Sequence, residues 1–401
     1  MKGSDNDNMP IISKKYYIFL LVLLGLLCGF GPFITDMYLP TLPSMTKIFH
    51  TNATMVQLGL TMSMFGLAVG QVIFGPISDR FGRKPVMLST LSLFAIATVA
   101  IIFSPSITFF NICRFIQGLG GAGAIVLSRS VATDSFSGRE LAKAMALIGA
   151  INGVAPVSAP VIGGLVAESI GWKGIFWILL GIGIILIICS LRFKESLPEE
   201  NRLSEGLKPL IKSFTGLFKI KYFVIYVLLS GFANGVLFSY ISSASFIIQD
   251  HFKYSELIFS LIFGLNAIGI GAGSALAVKF KSLEKAALVG SAIMTVGSLI
   301  QLISSIIWGK FIGYEGMMFL MVLGLGLVFS SSTTLSMNEG KRYPGSASAI
   351  FGAVGFLFGG IVSPLVGFGN ILITSSVLII ICSVVCLGLS IVCIRRKQKS
   401  I

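Results

Sequence analysis

Asp36 is an acidic side chain inside an otherwise apolar run from Tyr16 to about Leu42. A carboxylate held in apolar surroundings must pair, take up a proton or face water, so an acid in such a run marks a functional site by default. Arg114 is its basic counterpart, within a second apolar run that begins near Thr108. If the first run crosses outward and the second crosses inward, each charge lies about six residues from the outer end. At about 1.5 Å per residue that is about 9 Å below the outer edge for both. A carboxylate near a guanidinium prefers to be ionised, whereas burial favours its neutral form, and the balance changes as the surroundings open and close. That is the property a proton carrier needs. The bland alternative is a buried pair that only locks two helices together.

The elements that must hold these charges are membrane helices. The 401 residues are 55% hydrophobic and 11% charged, too apolar for a soluble fold of this length. Windows of about twenty apolar residues between polar breaks predict twelve spans. Six run at 16–42, 53–75, 86–104, 107–131, 145–168 and 172–192, and six at 222–248, 257–279, 286–308, 313–336, 346–368 and 371–394. A β-barrel would need short alternating strands, and these runs are continuously apolar. The expected fold is an all-α membrane protein: an N-terminal six-helix bundle over 1–192, a cytoplasmic linker over 193–221 and a C-terminal six-helix bundle over 222–401. The linker is the longest polar interruption, with Glu195, Glu199, Glu200, Arg202, Glu205, Lys208 and Lys212.

Charge orients the bundle. With both termini cytoplasmic, of the 30 Lys and Arg residues only Lys47, Lys173, Lys253 and Lys310 fall outside, with Arg114 in the membrane. The net charge of +14 is therefore topology and implies no nucleic-acid partner. The length of the first run and the runs that follow it argue against a cleaved signal peptide. Cys28, Cys113, Cys189, Cys382, Cys386 and Cys393 sit in apolar spans with no metal-ligand spacing and read as packing residues. His50 and His251 fall in outer loops and carry no catalytic role. There is no Gly-x-x-x-x-Gly-Lys-Ser/Thr loop, so ATP-driven pumping is not expected, nor is an enzyme. Asp79 and Asp134 stand at helix ends and are not expected to form a paired carboxylate site. No metal or other cofactor is expected; a proton gradient is the expected driving force.

Two further patterns concern organisation. The fifth span carries Gly149, Gly153, Pro156, Pro160, Gly163 and Gly164, and the eleventh carries Gly352, Gly355, Gly359, Gly360, Pro364 and Gly367. Corresponding Gly- and Pro-rich spans in two halves are a mark of repeat-built secondary transporters. Small residues let helices approach closely, and Pro156 and Pro160 remove backbone hydrogen bonds and bend the span. Between the second and third spans stands Gly75-Pro76-Ile77-Ser78-Asp79-Arg80-Phe81-Gly82-Arg83-Lys84-Pro85, in which glycines and proline permit a tight turn and Asp79 can accept bonds from a helix end or an arginine.

The spacing of that loop resembles the cytoplasmic signature of the major facilitator superfamily. There it latches the two halves together on the inside when the cavity faces outward, which implies an inner gate at Gly75, Asp79, Arg80, Gly82 and Arg83. Lys279-Phe280-Lys281-Ser282-Leu283-Glu284-Lys285 is similar to its degenerate counterpart. Thr35-Asp36-Met37-Tyr38-Leu39-Pro40, the run Arg114-Phe115-Ile116-Gln117-Gly118-Leu119-Gly120-Gly121-Ala122 and the run Ala155-Pro156-Val157-Ser158-Ala159-Pro160-Val161-Ile162-Gly163-Gly164 narrow the resemblance to the drug:proton antiporter branch, and within it to Bcr/CflA-like multidrug efflux transporters of the bacterial inner membrane. The general antiporter motif has glycine before its last proline where this chain has Ala159, the form of the Bcr/CflA pattern. The resemblance implies alternating access, export of amphipathic or cationic drugs against protons, Asp36 as proton carrier with Arg114 its partner, and a fifth-span helix of Gly153, Pro156, Pro160, Gly163 and Gly164 that seals the interface between halves. A rival with the same fold is a proton-coupled exporter of a native metabolite or siderophore.

Substrate contacts are expected near the midplane. Asn234 and Asn266 lie there by residue count, Gln117 and Asn152 could face the same cavity, and Tyr38 and Tyr240 could supply an aromatic wall for a lipophilic cation. Each polar residue among these could equally be an interhelical hydrogen bond. The expected partners are the lipid bilayer, protons and a small-molecule substrate, with the protein itself a monomer.

Overall fold

Apolar runs too long for strands fold as helices, and in the computed structural model every regular element among the described residues, 13–136, 138–202, 208–307 and 309–399, is helical. The order is α1 (Lys14–Asp36), α2 (Leu42–Ile48), α3 (Ala53–Phe81), α4 (Arg83–Ile102), α5 (Ile107–Ser135), α6 (Gly138–Arg192), α7 (Lys208–Phe218), α8 (Lys221–Phe246), α9 (Glu256–Leu276), α10 (Leu283–Ile307), α11 (Phe311–Glu339), α12 (Pro344–Leu365) and α13 (Ile371–Lys399). Side-chain caps start several of them: Ser13, Asn52, Ser106 and Ser255 each accept a bond from the backbone N–H three residues on. Eleven stretches among the described residues are long and apolar enough to cross a membrane. The expected fifth and sixth spans share one of these, on either side of Gly171, whose backbone (φ 66°, ψ −170°) interrupts α6. At Gly171 the angles leave the helical range while Pro156 and Pro160 stay within it.

The first span differs in detail from its expected form. α1 stops at Asp36, a short 3-10 turn covers Leu39–Thr41, and α2 carries the chain on to Ile48. Pro40, which cannot donate to the Asp36 carbonyl four residues before it, accounts for the break after Asp36, and Pro43 sits in the first turn of α2, where its missing donor is not needed.

Interhelical contact is close where glycines allow it. A methyl on Gly66 would overlap the Phe115 carbonyl oxygen, and one on Gly273 the Leu323 carbonyl oxygen, so α3 lies on α5 and α9 on α11 with almost no side chain between them. Chain turns echo each other as well, since His50 (φ 48°) and Lys253 (φ 62°) are the two non-glycine residues with left-handed backbone among those described. Each follows a helical run, α1–α2 in one case and α8 in the other. Packing between early and late helices is dominated by α3 against α12 and α6 against α9. Large apolar side chains such as Ile96, Ile312 and Val278 stand fully outward, as a lipid-facing surface requires.

The linker contains an element the polar composition concealed. α7 presents Phe214 and Leu217 to Phe223, Val227, Ala347 and Ile350, and Ser213 shares a 2.8 Å hydrogen bond with Ser346. It therefore lies against the start of α8 and of α12.

Candidate functional site

The break after Asp36 leaves the last carbonyls of α1 without partners from their own helix. Arg114, on α5 and fully buried, supplies one: its Nη2 donates to the Ile34 carbonyl at 2.9 Å. Its Nη1 donates to Gln117 Oε1, and Gln117 Nε2 donates onward to Thr98 Oγ1 at 2.8 Å. The guanidinium carbon stands 4.4 Å from the centre of the Tyr38 ring and 5.6 Å from that of Phe176. A cation over aromatic faces at a helix carboxyl end is favourably placed on both counts. Asp36 itself is buried, 6% exposed.

No ion pair joins Asp36 to Arg114. The pairs within 4.0 Å among the described residues are Arg83–Asp79, Arg83–Asp134, Lys143–Glu140 and Arg202–Glu199. The expected pairing of Asp36 with Arg114 is therefore corrected for this conformation. The guanidinium caps the helix that carries the acid, and the acid is left without a cation.

Gly163 explains the position of α6. A methyl there would overlap the Met37 carbonyl oxygen, while one on the adjacent Gly164 would overlap Ser260 Oγ on α9. One helix thus rests its two small residues on the segment following Asp36 and on a late helix. Asp36 lies between two docked carbonyls, Ile34 under Arg114 and Met37 under Gly163. Of the other fifth-span residues, the side chain of Asn152 and the surroundings of Gly153 lie outside the described residues.

The loop between α3 and α4 forms a cluster in which Arg83 is the hub. Its Nη1 reaches Asp79 Oδ1 at 2.5 Å and Ser78 Oγ at 2.7 Å, and its Nε reaches Asp134 Oδ2 at 2.7 Å. The backbone N–H groups of Arg83 and Lys84, at the start of α4, donate to the Glu195 carboxylate at 2.9 and 3.0 Å, an anion at a helix amino end. Gly82 makes the turn with φ 97°, and a methyl on it would meet Glu195. Asp79 and Asp134, expected to stand apart at helix ends, share one arginine. Asp134 and Glu195 join the cluster from positions far from the loop in sequence, so its motif carries no sign of them. Arg80 lies over the Phe81 ring, 5.3 Å from its centre. Every partner of Arg83 lies within residues 78–195; the bond from this end to a late helix is Arg129 Nη1 to Ser348 Oγ, at 3.4 Å.

The expected cavity residues separate into three places. Tyr38 and Gln117 are buried around Arg114. Asn234 donates to its own helix at Ser230 O and faces Gly355 of α12. Tyr240 and Asn266 meet: the Asn266 amide donates to the Tyr240 hydroxyl at 2.7 Å and to Glu315 Oε1 at 2.6 Å, with the Tyr240 ring stacked on Phe263. Glu315 is inconspicuous in the sequence because it stands near the start of its helix, where an acid reads as interfacial. A signal was present, since Tyr314 and Glu315 fall inside the apolar window 313–336.

At the opposite end from the Arg83 cluster, early and late helices touch through Gln249 Nε2 donating to the Pro40 carbonyl at 2.8 Å and Gln57 Nε2 to the Ser242 carbonyl at 3.0 Å.

Comparison with known proteins gives one family. The profile of the Major Facilitator Superfamily matches residues 21–364. The chain is 38% identical over 362 residues to the uncharacterized MFS-type transporter YdgK of Bacillus subtilis (strain 168), covering 88% of this chain and 89% of that one. It is 29% identical over 364 residues to a bicyclomycin resistance protein homolog of Haemophilus influenzae, with 88% and 89% covered. Among solved structures, a bacterial homologue of the human lysosomal transporter Spinster, inward-facing and unoccupied, superposes with a TM-score of 0.74 at 16% identity, covering 95% of this chain and 96% of that one.

Proposed function

The chain belongs to the major facilitator superfamily, and from that premise we propose that it is a proton-driven exporter of small amphipathic or cationic compounds, drugs among them. It is a multi-pass membrane transporter, not an enzyme. The finer reading has twelve spans in two six-helix halves, 1–192 and 222–401, joined by 193–221 in the bacterial inner membrane, with both termini cytoplasmic and the protein a monomer. The interruption at Gly171, the matched left-handed turns at His50 and Lys253, and the matched close approaches of Gly66 and Gly273 support it.

Asp36 carries the proposal. It is a buried acid at the point where its helix breaks, held between two docked carbonyls and without a cation within ion-pair distance. In the closed site it holds a proton. When the bundles part toward the outside the proton enters from that side, and when they part toward the inside it leaves and the bare carboxylate attracts a cationic compound. Arg114 fixes the end of α1 so that the acid moves with its helix. The contacts Gln249–Pro40 and Gln57–Ser242 support an outer seal in this conformation, while the Asp79–Arg83–Asp134 cluster, whose partners all lie within residues 78–195, is the proposed inner gate.

A drug-susceptibility panel in an efflux-deficient bacterium tests the substrate class. Wild type is expected to raise resistance to several lipophilic cations, and Asp36→Asn, expressed at equal level, to raise none. No protection by the wild type against any compound, together with secretion of a native metabolite, would replace drug export by the metabolite reading.

A further inference from the structure

Glu315 is a second acid within the helical bundle, and the proposed cycle does not use it. It lies in the first turns of α11 and faces α8 and α9. Oε1 accepts from the Asn266 amide at 2.6 Å, and Oε2 is enclosed with no hydrogen-bond partner. Both amide hydrogens of Asn266 are committed, one to Glu315 and one to the Tyr240 hydroxyl at 2.7 Å, while Asn266 Oδ1 is enclosed without a partner. No Lys, Arg or His forms an ion pair with Glu315 among the described residues. The groups facing it are Tyr240 on α8, Asn266 on α9 and Tyr314 beside it, none of them cationic, with Phe263 stacked on Tyr240 at 5.5 Å.

An ionised carboxylate here would have one amide donor and no counter-charge, an arrangement that buried acids do not sustain. A buried hydrogen-bond network left partly unsatisfied is costly, and one added hydrogen on the carboxyl turns an orphan acceptor into a donor. We propose that Glu315 is a second proton-exchanging carboxyl of this protein, with Asn266 and Tyr240 as its positioning residues, separate from Asp36 and carried by α8, α9 and α11. The step is a bare gain and loss: the carboxylate binds H⁺ from the water on one side of the membrane and returns H⁺ to water on the other, with no bond otherwise made or broken. Asn266 holds Oε1 in either state, so the hydrogen resides on Oε2.

This inference does not require that drugs be the substrate, nor that Asp36 be the coupling residue. Infrared difference spectra of the purified full-length protein in lipid nanodiscs, stepped across the neutral pH range, read it without a substrate. The expected result is a protonated-carboxyl stretch that appears on acidification, shifts when glutamate alone is ¹³C-labelled, is lost in Glu315→Gln and is retained at a shifted frequency in Glu315→Asp. An aspartate-labelled band lost only in Asp36→Asn is the separate signature of the other site, so failure at one leaves the other readable. Labelling reads the wild type directly, so a poorly folded variant does not blunt the test. Absence of any titrating glutamate band in the labelled wild type, or its persistence in folded Glu315→Gln, overturns the proposal.

Discussion

At the scale of residues, Arg114 has the role most changed by its surroundings. Sequence placed it level with Asp36, and the two do stand near the same helix end, but a guanidinium offers five N–H groups that a single carboxylate cannot absorb. In the structure Nη2 donates to the Ile34 carbonyl and Nη1 to Gln117, Nε is enclosed without a hydrogen-bond partner, and the Tyr38 and Phe176 faces surround the charge. Arg114→Gln should therefore act first on stability, leaving the α1 carbonyl end uncapped. A loss of roughly 1–3 kcal/mol is expected, read as a lower melting temperature by fluorescence-detected size exclusion. An unchanged melting temperature would show that the capping is energetically idle. Asp36 was legible because charge in an apolar run is conspicuous. Glu315 was not, because four residues from a helix start an acid is ordinary until the fold shows Asn266 and Tyr240 closing over it.

Helices were the most legible part of the chain, since a span needs about twenty apolar residues and leaves a clear pattern. What the pattern could not show was continuity. Gly171 interrupts α6 with a single residue at positive φ, and α7 hides an apolar face of Phe214 and Leu217 in a stretch that reads as polar linker. The Gly and Pro content of α6 was visible, but which glycine touches what is a matter of rotation about the helix axis. Gly163 and Gly164 are adjacent, and one faces the Met37 carbonyl while the other faces Ser260. Gly163→Ala should accordingly push α6 off the end of α1, reducing folded yield and export together. Gly181→Ala, on the same helix with open space around it, should be neutral or slightly stabilising. The pair is compared by size-exclusion yield at equal expression, and equal yields would contradict the close approach.

For the whole molecule, alternating access needs two bodies that exchange seals at their two ends. In the proposed orientation, the contacts Gln57–Ser242 and Gln249–Pro40 at one end and the cluster around Arg83 at the other would be those two sets of parts. The proposed two-fold organisation is only faintly legible in the Gly–Pro echo of the expected fifth and eleventh spans, as expected where repeats diverge in side chains while keeping backbone geometry. The turns at His50 and Lys253 carry the echo more plainly than any residue identity does. Neutralising Asp36 should leave such a body able to fold yet unable to exchange a proton for its cargo. The direct measurement uses proteoliposomes loaded with a transported cation and a luminal pH dye, with outward substrate flow as the only driving force. Cargo leaving the lumen should draw protons in, so the lumen acidifies with wild type and stays at its starting pH with Asp36→Asn. Substrate efflux through the wild type with a flat luminal pH, or equal acidification with Asp36→Asn, would contradict the account.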